Sequence, residues 1–222
     1  MLRTVVLVVW SSIAVIAIGC GGAGKNGSQT GPDGTLDPDA VLDPIHVKAE
    51  RDGERLVLDA YDADGLFERA AAHLRKGKCD NAVEIYTKLI DEFGESDLVE
   101  PSLYNRGLCL DQLERYQAAA SSYSELIERF PESGDVTDAL FRQAGSYEKL
   151  ETWDDAVRVF DRLLTERQDL RGVERVEALA RKGSAQMQLD QPEVARLTLE
   201  EAVRTYRMGK GISPTDSVFH YS

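Results

Sequence analysis

The chain is poor in the residues that build reactive or cross-linked sites. Its 222 residues include three cysteines, three histidines and two tryptophans. The cysteines, Cys20, Cys79 and Cys109, are widely spaced. They form neither a disulfide framework nor a zinc-ligand spacing. The histidines, His46, His73 and His220, fall in separate segments and none joins a motif. Proline is scarce at 7 residues, so little interrupts long helices. Positive charge is also short, with 26 Lys and Arg against 39 Asp and Glu and a net charge of −13. There is no basic stripe, so a nucleic-acid surface is not expected, because phosphate contacts need one. No glycine-rich loop follows a strand, and neither a cofactor nor a small-molecule substrate is indicated. What remains is ordinary for a folded protein, with 42% apolar and 29% charged residues.

One long apolar run exists, and it lies at the amino terminus. A single cation, Arg3, precedes an uncharged stretch over 5–18, which ends in Ala17-Ile18-Gly19-Cys20. A positive start, an apolar core and small residues at the cut make a signal peptide over 1–19. As a helix its core would reach about 21 Å, short of roughly 30 Å of hydrocarbon. The small residue before Cys20 resembles the bacterial lipobox, although Ala17 stands where that pattern prefers Leu. The resemblance implies that Cys20 carries diacylglycerol and often an amide-linked palmitate-type chain. The alternative is ordinary cleavage near Gly19. Gly21 after the cysteine implies the outer membrane, facing the periplasm. The segment 20–44 is rich in Gly, Pro, Asp and Ser and cannot bury enough apolar surface to order itself. It reads as a tether spanning about 25–30 Å. Over 45–61 two readings compete. Alternating Ile45, Val47 and Ala49, then Asp52-Gly53, then Leu56-Val57-Leu58 suit a small strand hairpin. Irregular structure is the other.

Self-comparison of the rest is the most informative step. Four segments align on Ala82, Ala119, Ala156 and Ala195. Sixteen places before each stand Leu66, Leu103, Leu140 and Leu179; twelve before, Ala70, Gly107, Ala144 and Gly183; ten before, Ala72, Cys109, Ser146 and Ala185. Four places after stand Tyr86, Tyr123, Phe160 and Leu199, and seven after, Leu89, Leu126, Leu163 and Ala202. Small residues let helices approach closely, and large ones fill the space opposite. The +4 and +7 places share one helical face. Short polar turns, Gly77-Lys78, Glu114-Arg115, Glu151-Thr152 and Asp190-Gln191, separate the two helices of each unit. One such hairpin cannot bury its own apolar face, so the units must stack.

Tyr116, Ala119, Tyr123 and Pro131, and again Trp153, Ala156 and Phe160, resemble the tetratricopeptide repeat. The match weakens in the first unit, with Cys79 in the aromatic slot, and in the fourth, with Pro192. The resemblance implies an all-α superhelix of about four helical hairpins over 62–207, divided near 62–96, 99–134, 135–170 and 172–207. Residues 208–222 read as a linker and then either the start of an incomplete fifth repeat or a stub of helix that caps the stack. The long inter-hairpin phrase at 130–135 resembles periplasmic members, the Tol-Pal system's repeat protein and the YfiO-type outer-membrane assembly lipoproteins. Family resemblance also places one first-helix slot, held by Phe67, Tyr104 and Phe141, on a concave groove. Asp111, Gln112, Glu148, Lys149, Met187 and Gln188 belong to neighbouring groove slots. An aromatic ladder rimmed by polar groups suits a peptide or helix ligand. Alternatively these rings pack between successive first helices. Cys79 and Cys109 read as packing residues, with a Cys79–Cys109 disulfide as the alternative in an oxidising compartment.

The expected function is therefore a lipid-anchored scaffold or adaptor, binding other envelope proteins or peptides. An enzyme is not expected, since no catalytic or metal-ligating constellation is visible. The rivals are a wall hydrolase whose catalytic part lies elsewhere, and a spacer with no specific ligand.

Overall fold

A computed structural model describes residues 44–52, 55–168, 170 and 172–209. Cys20, the apolar run, most of the tether and the expected start of a fifth repeat lie outside these residues. The described chain opens on two strands, β1 (His46–Asp52) and β2 (Arg55–Tyr61). They pair antiparallel, with His46 opposite Tyr61 and Asp52 opposite Arg55. Of the two readings of 45–61, the strand hairpin is the one observed. Eight helices follow: α1 (Ala63–Arg75), α2 (Cys79–Glu92), α3 (Val99–Gln112), α4 (Tyr116–Arg129), α5 (Val136–Lys149), α6 (Trp153–Glu166), α7 (Gly172–Gln188) and α8 (Pro192–Met208).

The first helix starts at Asp62, whose Oδ1 accepts the Gly65 N–H at 2.8 Å and so satisfies one orphan donor of the first turn. All four hairpin turns share one backbone device. Gly77, Glu114, Glu151 and Asp190 take φ of 66°, 58°, 57° and 56°. The N–H that follows each reaches back to the carbonyl of His73, Leu110, Tyr147 or Gln186, at 2.9 to 3.0 Å. This is a Schellman-type close, which satisfies helix-end carbonyls at the cost of one left-handed residue. Glycine meets that demand freely once; the other three turns use Glu or Asp in the left-handed region, which favours glycine.

Packing runs between chain neighbours, each helix against the next, with α1 also touching α3. That is the contact pattern of a stack. The four anchor alanines are all completely buried. So are Tyr86, Tyr123 and Phe160 at the +4 place, whereas Leu199 is half-buried. The reason for small residues at the −12 place is now geometric. A Cβ built on Gly107 would lie 2.5 Å from Cε1 of Tyr123, and one on Gly183 would lie 2.7 Å from Leu199. The two helices of a hairpin close on each other there, with one large side chain filling the gap. No described helix is long and apolar enough to cross a membrane.

Candidate functional site

A groove of about 1060 Å³ runs along the first helices of the second, third and fourth hairpins. Asp111 of α3, Phe141, Glu148 and Lys149 of α5, and Gln188 of α7 line it, together with Tyr116 and Trp153 at the starts of α4 and α6. Five of the nine groove residues expected from sequence therefore meet in one concavity. The other four do not line it. Phe67 packs in the first hairpin, against Tyr86. Gln112 is exposed, and its Oε1 accepts the Cys79 thiol at 3.0 Å. Met187, 51% exposed, borders a separate apolar hollow beside α8. Tyr104 bonds through its hydroxyl to Asp138, which does line the groove.

The aromatic ladder has two roles at once. Phe67, Tyr104 and Phe141 are half-buried, and each meets the +4 aromatic of its own hairpin edge-on. The centroid separations are 5.9, 6.2 and 6.4 Å, the favoured arrangement of aromatic quadrupoles. The rings thus pack on the core, and Phe141 also presents surface to the groove.

Polar groups join neighbouring repeats across the groove. The Tyr104 hydroxyl bonds Asp138 of the next hairpin. Arg142 donates through Nε to both, at 2.8 Å to the Tyr104 oxygen and 2.7 Å to Asp138. Burial, and then the bond to Asp138, push the Tyr104 hydroxyl pKa above its ordinary value. Burial opposes the Arg142 charge, but Asp138 and Tyr104 outweigh it and hold the guanidinium protonated more firmly than usual. Asp111 is the second junction. Its two oxygens accept the hydroxyls of Tyr123 and Ser146, each at 2.8 Å. Burial and this carboxylate raise the pKa of Tyr123 as well. Arg181 forms the third, bonding Glu148 at 2.7 and 3.3 Å and lying 5.1 Å from the Phe160 ring centroid.

Sequence reasoning did not single out Asp138, Arg142 and Arg181. Arg142 and Arg181 sit two places after Leu140 and Leu179, and Asp138 two places before Leu140. The repeat register could have placed them on the groove side. Their pairing needs the rotation between hairpins, which the register does not contain. Glu174 and Glu177 also line the groove. Its charged lining is Asp111, Asp138, Glu148, Glu174 and Glu177 against Arg142, Lys149 and Arg181. The concavity is mildly acidic, and most of its charges are held in fixed pairs.

The tetratricopeptide-repeat family model matches residues 67–135 and again 104–172. No curated protein matches the chain in sequence. Among solved structures, BtubC from P. vanneervenii is similar with a TM-score of 0.55 and 22% identity, over 68% of this chain and 66% of that one. A tetratricopeptide repeat protein from Parabacteroides merdae gives 0.54 and 20%, over 67% and 55%. MamA from Desulfovibrio magneticus RS-1 gives 0.51 and 14%, over 66% and 76%. At these identities the likeness is one of fold. Four hairpins closed by one turn device and packed through one repeated alanine, the first three of them matched by that family model, give the helical domain the fold of a tetratricopeptide-repeat superhelix.

Proposed function

We propose that this chain is a lipid-anchored adaptor of the bacterial cell envelope, and that the groove along α3, α5 and α7 holds a segment of another protein. The observation that carries the reading is the groove itself. It is long and lined by repeated slots of successive hairpins, with aromatic surface from Tyr116, Phe141 and Trp153 beside fixed charged pairs. Such a surface recognises an extended or helical segment through spaced anchors. Arg181 pairs with Glu148 across two repeats and Arg142 with Asp138 along α5, which holds these charges in place, an arrangement suited to binding. Lys149 is exposed in the groove lining and, unlike Arg142 and Arg181, forms no ion pair among the described residues, so it can meet a partner's carboxylate.

The envelope assignment rests on the amino-terminal pattern ending in Cys20. A signal peptide over 1–19, lipid on Cys20 and a tether over 21–44 would hold the superhelix beside a membrane, the outer one by the residue that follows the cysteine. Two or three acyl chains give durable anchoring. Systems with this need include outer-membrane protein assembly, Tol-Pal-linked wall maintenance, and secretion or motility machinery.

Two experiments test the two halves separately. Cells grown with a labelled fatty acid should label the native chain and not Cys20→Ser; equal labelling of both removes the anchor. A photo-reactive residue at Lys149 should crosslink in cells to one discrete protein, while one at exposed Arg158, which does not line the groove, should not. Equal, diffuse crosslinking from both positions would favour a spacer over an adaptor. Tyr104→Ala divides structure from recognition, measured by both melting temperature and crosslink yield. A lowered melt with undiminished capture in the folded fraction means the ring supports the fold alone.

A further inference from the structure

The first and second hairpins meet at a place where the repeat pattern changes. Three places before the anchor alanine, the second and third hairpins carry Tyr116 and Trp153, and the first carries Cys79. Ten places before it, the following hairpins carry Ser146 and Ala185, and the second carries Cys109. In the later repeats a large ring and a small residue border the same groove, Tyr116 with Ser146 and Trp153 with Ala185. At the first junction that large-and-small pair is replaced by two thiols.

The structure brings them together. Cys79 is the first residue of α2, Cys109 lies in α3, and both are free thiols, 4% and 0% exposed. They share one small apolar cluster with Ala70, Ala82 and Tyr86. The Cys79 thiol donates to Gln112, one turn beyond Cys109 on the same helix, so it already points at α3. We propose that Cys79 and Cys109 are a modification site: an oxidisable pair whose disulfide staples the first repeat to the second. The inference stands whether or not Cys20 carries lipid.

The chemistry requires a disulfide-bearing oxidant, either a small-molecule disulfide or a dithiol oxidase. Cys79 is the more exposed of the two and reacts first. Its thiolate attacks the oxidant's S–S bond and expels one thiolate, leaving a mixed disulfide on Cys79. Cys109 then loses its proton to solvent and attacks the Cys79 sulfur, expelling the second thiol. Two S–H bonds are lost, one protein S–S bond forms, and the oxidant's S–S bond is reduced to two thiols. Burial, and then the neighbouring Cys79, push the Cys109 thiol up to about 12, so the closing step speeds up as pH rises. Oxidation also removes the hydrogen that Cys79 gives Gln112, and frees that amide oxygen on an exposed residue of α3.

The test uses the full chain, purified in detergent and incubated with oxidised glutathione, then acid-quenched, alkylated and digested. The expected product is an intramolecular peptide pair joining Cys79 and Cys109. The thermal midpoint should rise on the order of 10 °C for a closed loop of about 30 residues, and dithiothreitol should reverse it. The double variant Cys79→Tyr, Cys109→Ser places the residues of the second junction at the first and should lose the response. Should it fail to fold, Cys79→Ala serves as the unresponsive control. The proposal is overturned if both thiols stay alkylatable after prolonged oxidation, if glutathione remains on Cys79, if the bond forms only between chains, or if it lowers the midpoint.

Discussion

At the first hairpin, Phe93 closes the end of α2 and is 3% exposed. His46 and Tyr61, paired at one end of the strand hairpin, pack against it. The His46 ring stands 4.5 Å from Phe93, and Tyr61 meets it edge-on at 6.3 Å. Tyr61 also donates to Glu92 at 2.6 Å and carries the Lys88 ammonium 3.3 Å from its ring centroid. At the fourth hairpin the outer side of α8 leaves Val194, Leu197, Val203 and Met208 between 44% and 75% exposed among the described residues. Inner hairpins have a neighbour on each side, and the first has only His46 and Tyr61 of the strand pair against Phe93. The difference teaches where stability sits. In a stack, each unit holds only through its neighbours, so one repeated slot has unequal weight along the chain.

The sharpest way to break this comparison is to truncate the same slot in two repeats. Tyr123→Ala removes a fully buried ring whose hydroxyl ties α4 to Asp111, and should cost about 3–5 kcal/mol in denaturant unfolding. Leu199→Ala, the equivalent in the fourth hairpin, should cost about 1 kcal/mol because its side chain is half exposed. Equal losses would mean that the stack has no weaker end.

The −12 place sharpens the same contrast. Gly107→Ala forces a methyl toward Tyr123, which its neighbours hold in place, and should cost about 1–3 kcal/mol by thermal melting. Gly183→Ala meets Cγ and Cδ2 of Leu199, a half-buried side chain that can turn toward solvent, and the gain in helix propensity offsets the clash. Its net effect should stay within about 1 kcal/mol.

The strand cap is tested by Tyr61→Ala. It loses an aromatic contact, a cation–π contact and a hydrogen bond on a partly exposed surface. A fall of about 1–2 kcal/mol in denaturant unfolding is expected, with hydrogen exchange rising first in β1 and the last turn of α2. Exchange that rises uniformly would mean the hairpin does not act as a local cap. The smallest effect belongs to Leu197→Lys. At 58% exposure it should change stability by less than about 0.5 kcal/mol. A loss above about 2 kcal/mol would show that this side of α8 is covered in the folded chain.

Much of the helical part was legible because it is written locally. The recurring Leu, small, Ala and aromatic places follow the 3.6-residue period, and their recurrence gives the turns and the buried face of every hairpin. The strand hairpin was legible only as one of two readings. Its Asp52-Gly53 signal is local, but an isolated strand pair is marginal in water. What the local signal does not contain is the contact of His46 and Tyr61 with Phe93, which lies beyond two helices. The groove was half legible. Slots such as Phe141, Glu148 and Lys149 point one way on their helices, yet Phe67, Gln112 and Met187 share such slots without lining the same concavity. Which slots converge depends on the rotation from hairpin to hairpin.

By itself, the sequence determined that eight amphipathic helices form, where they turn, and which residue of each repeat is buried, since these follow from spacing within one hairpin. It also set the acidic balance of the molecule. Only the tertiary structure decided which polar groups meet across hairpins. Asp111 bridges Tyr123 and Ser146, Arg142 joins Tyr104 to Asp138, and Cys79 comes to lie in one cluster with Cys109. The reason is physical: spacing along a helix fixes the direction of a side chain relative to its own axis, while a contact between repeats needs the relative placement of two axes, and that is set by the packing of the whole interface.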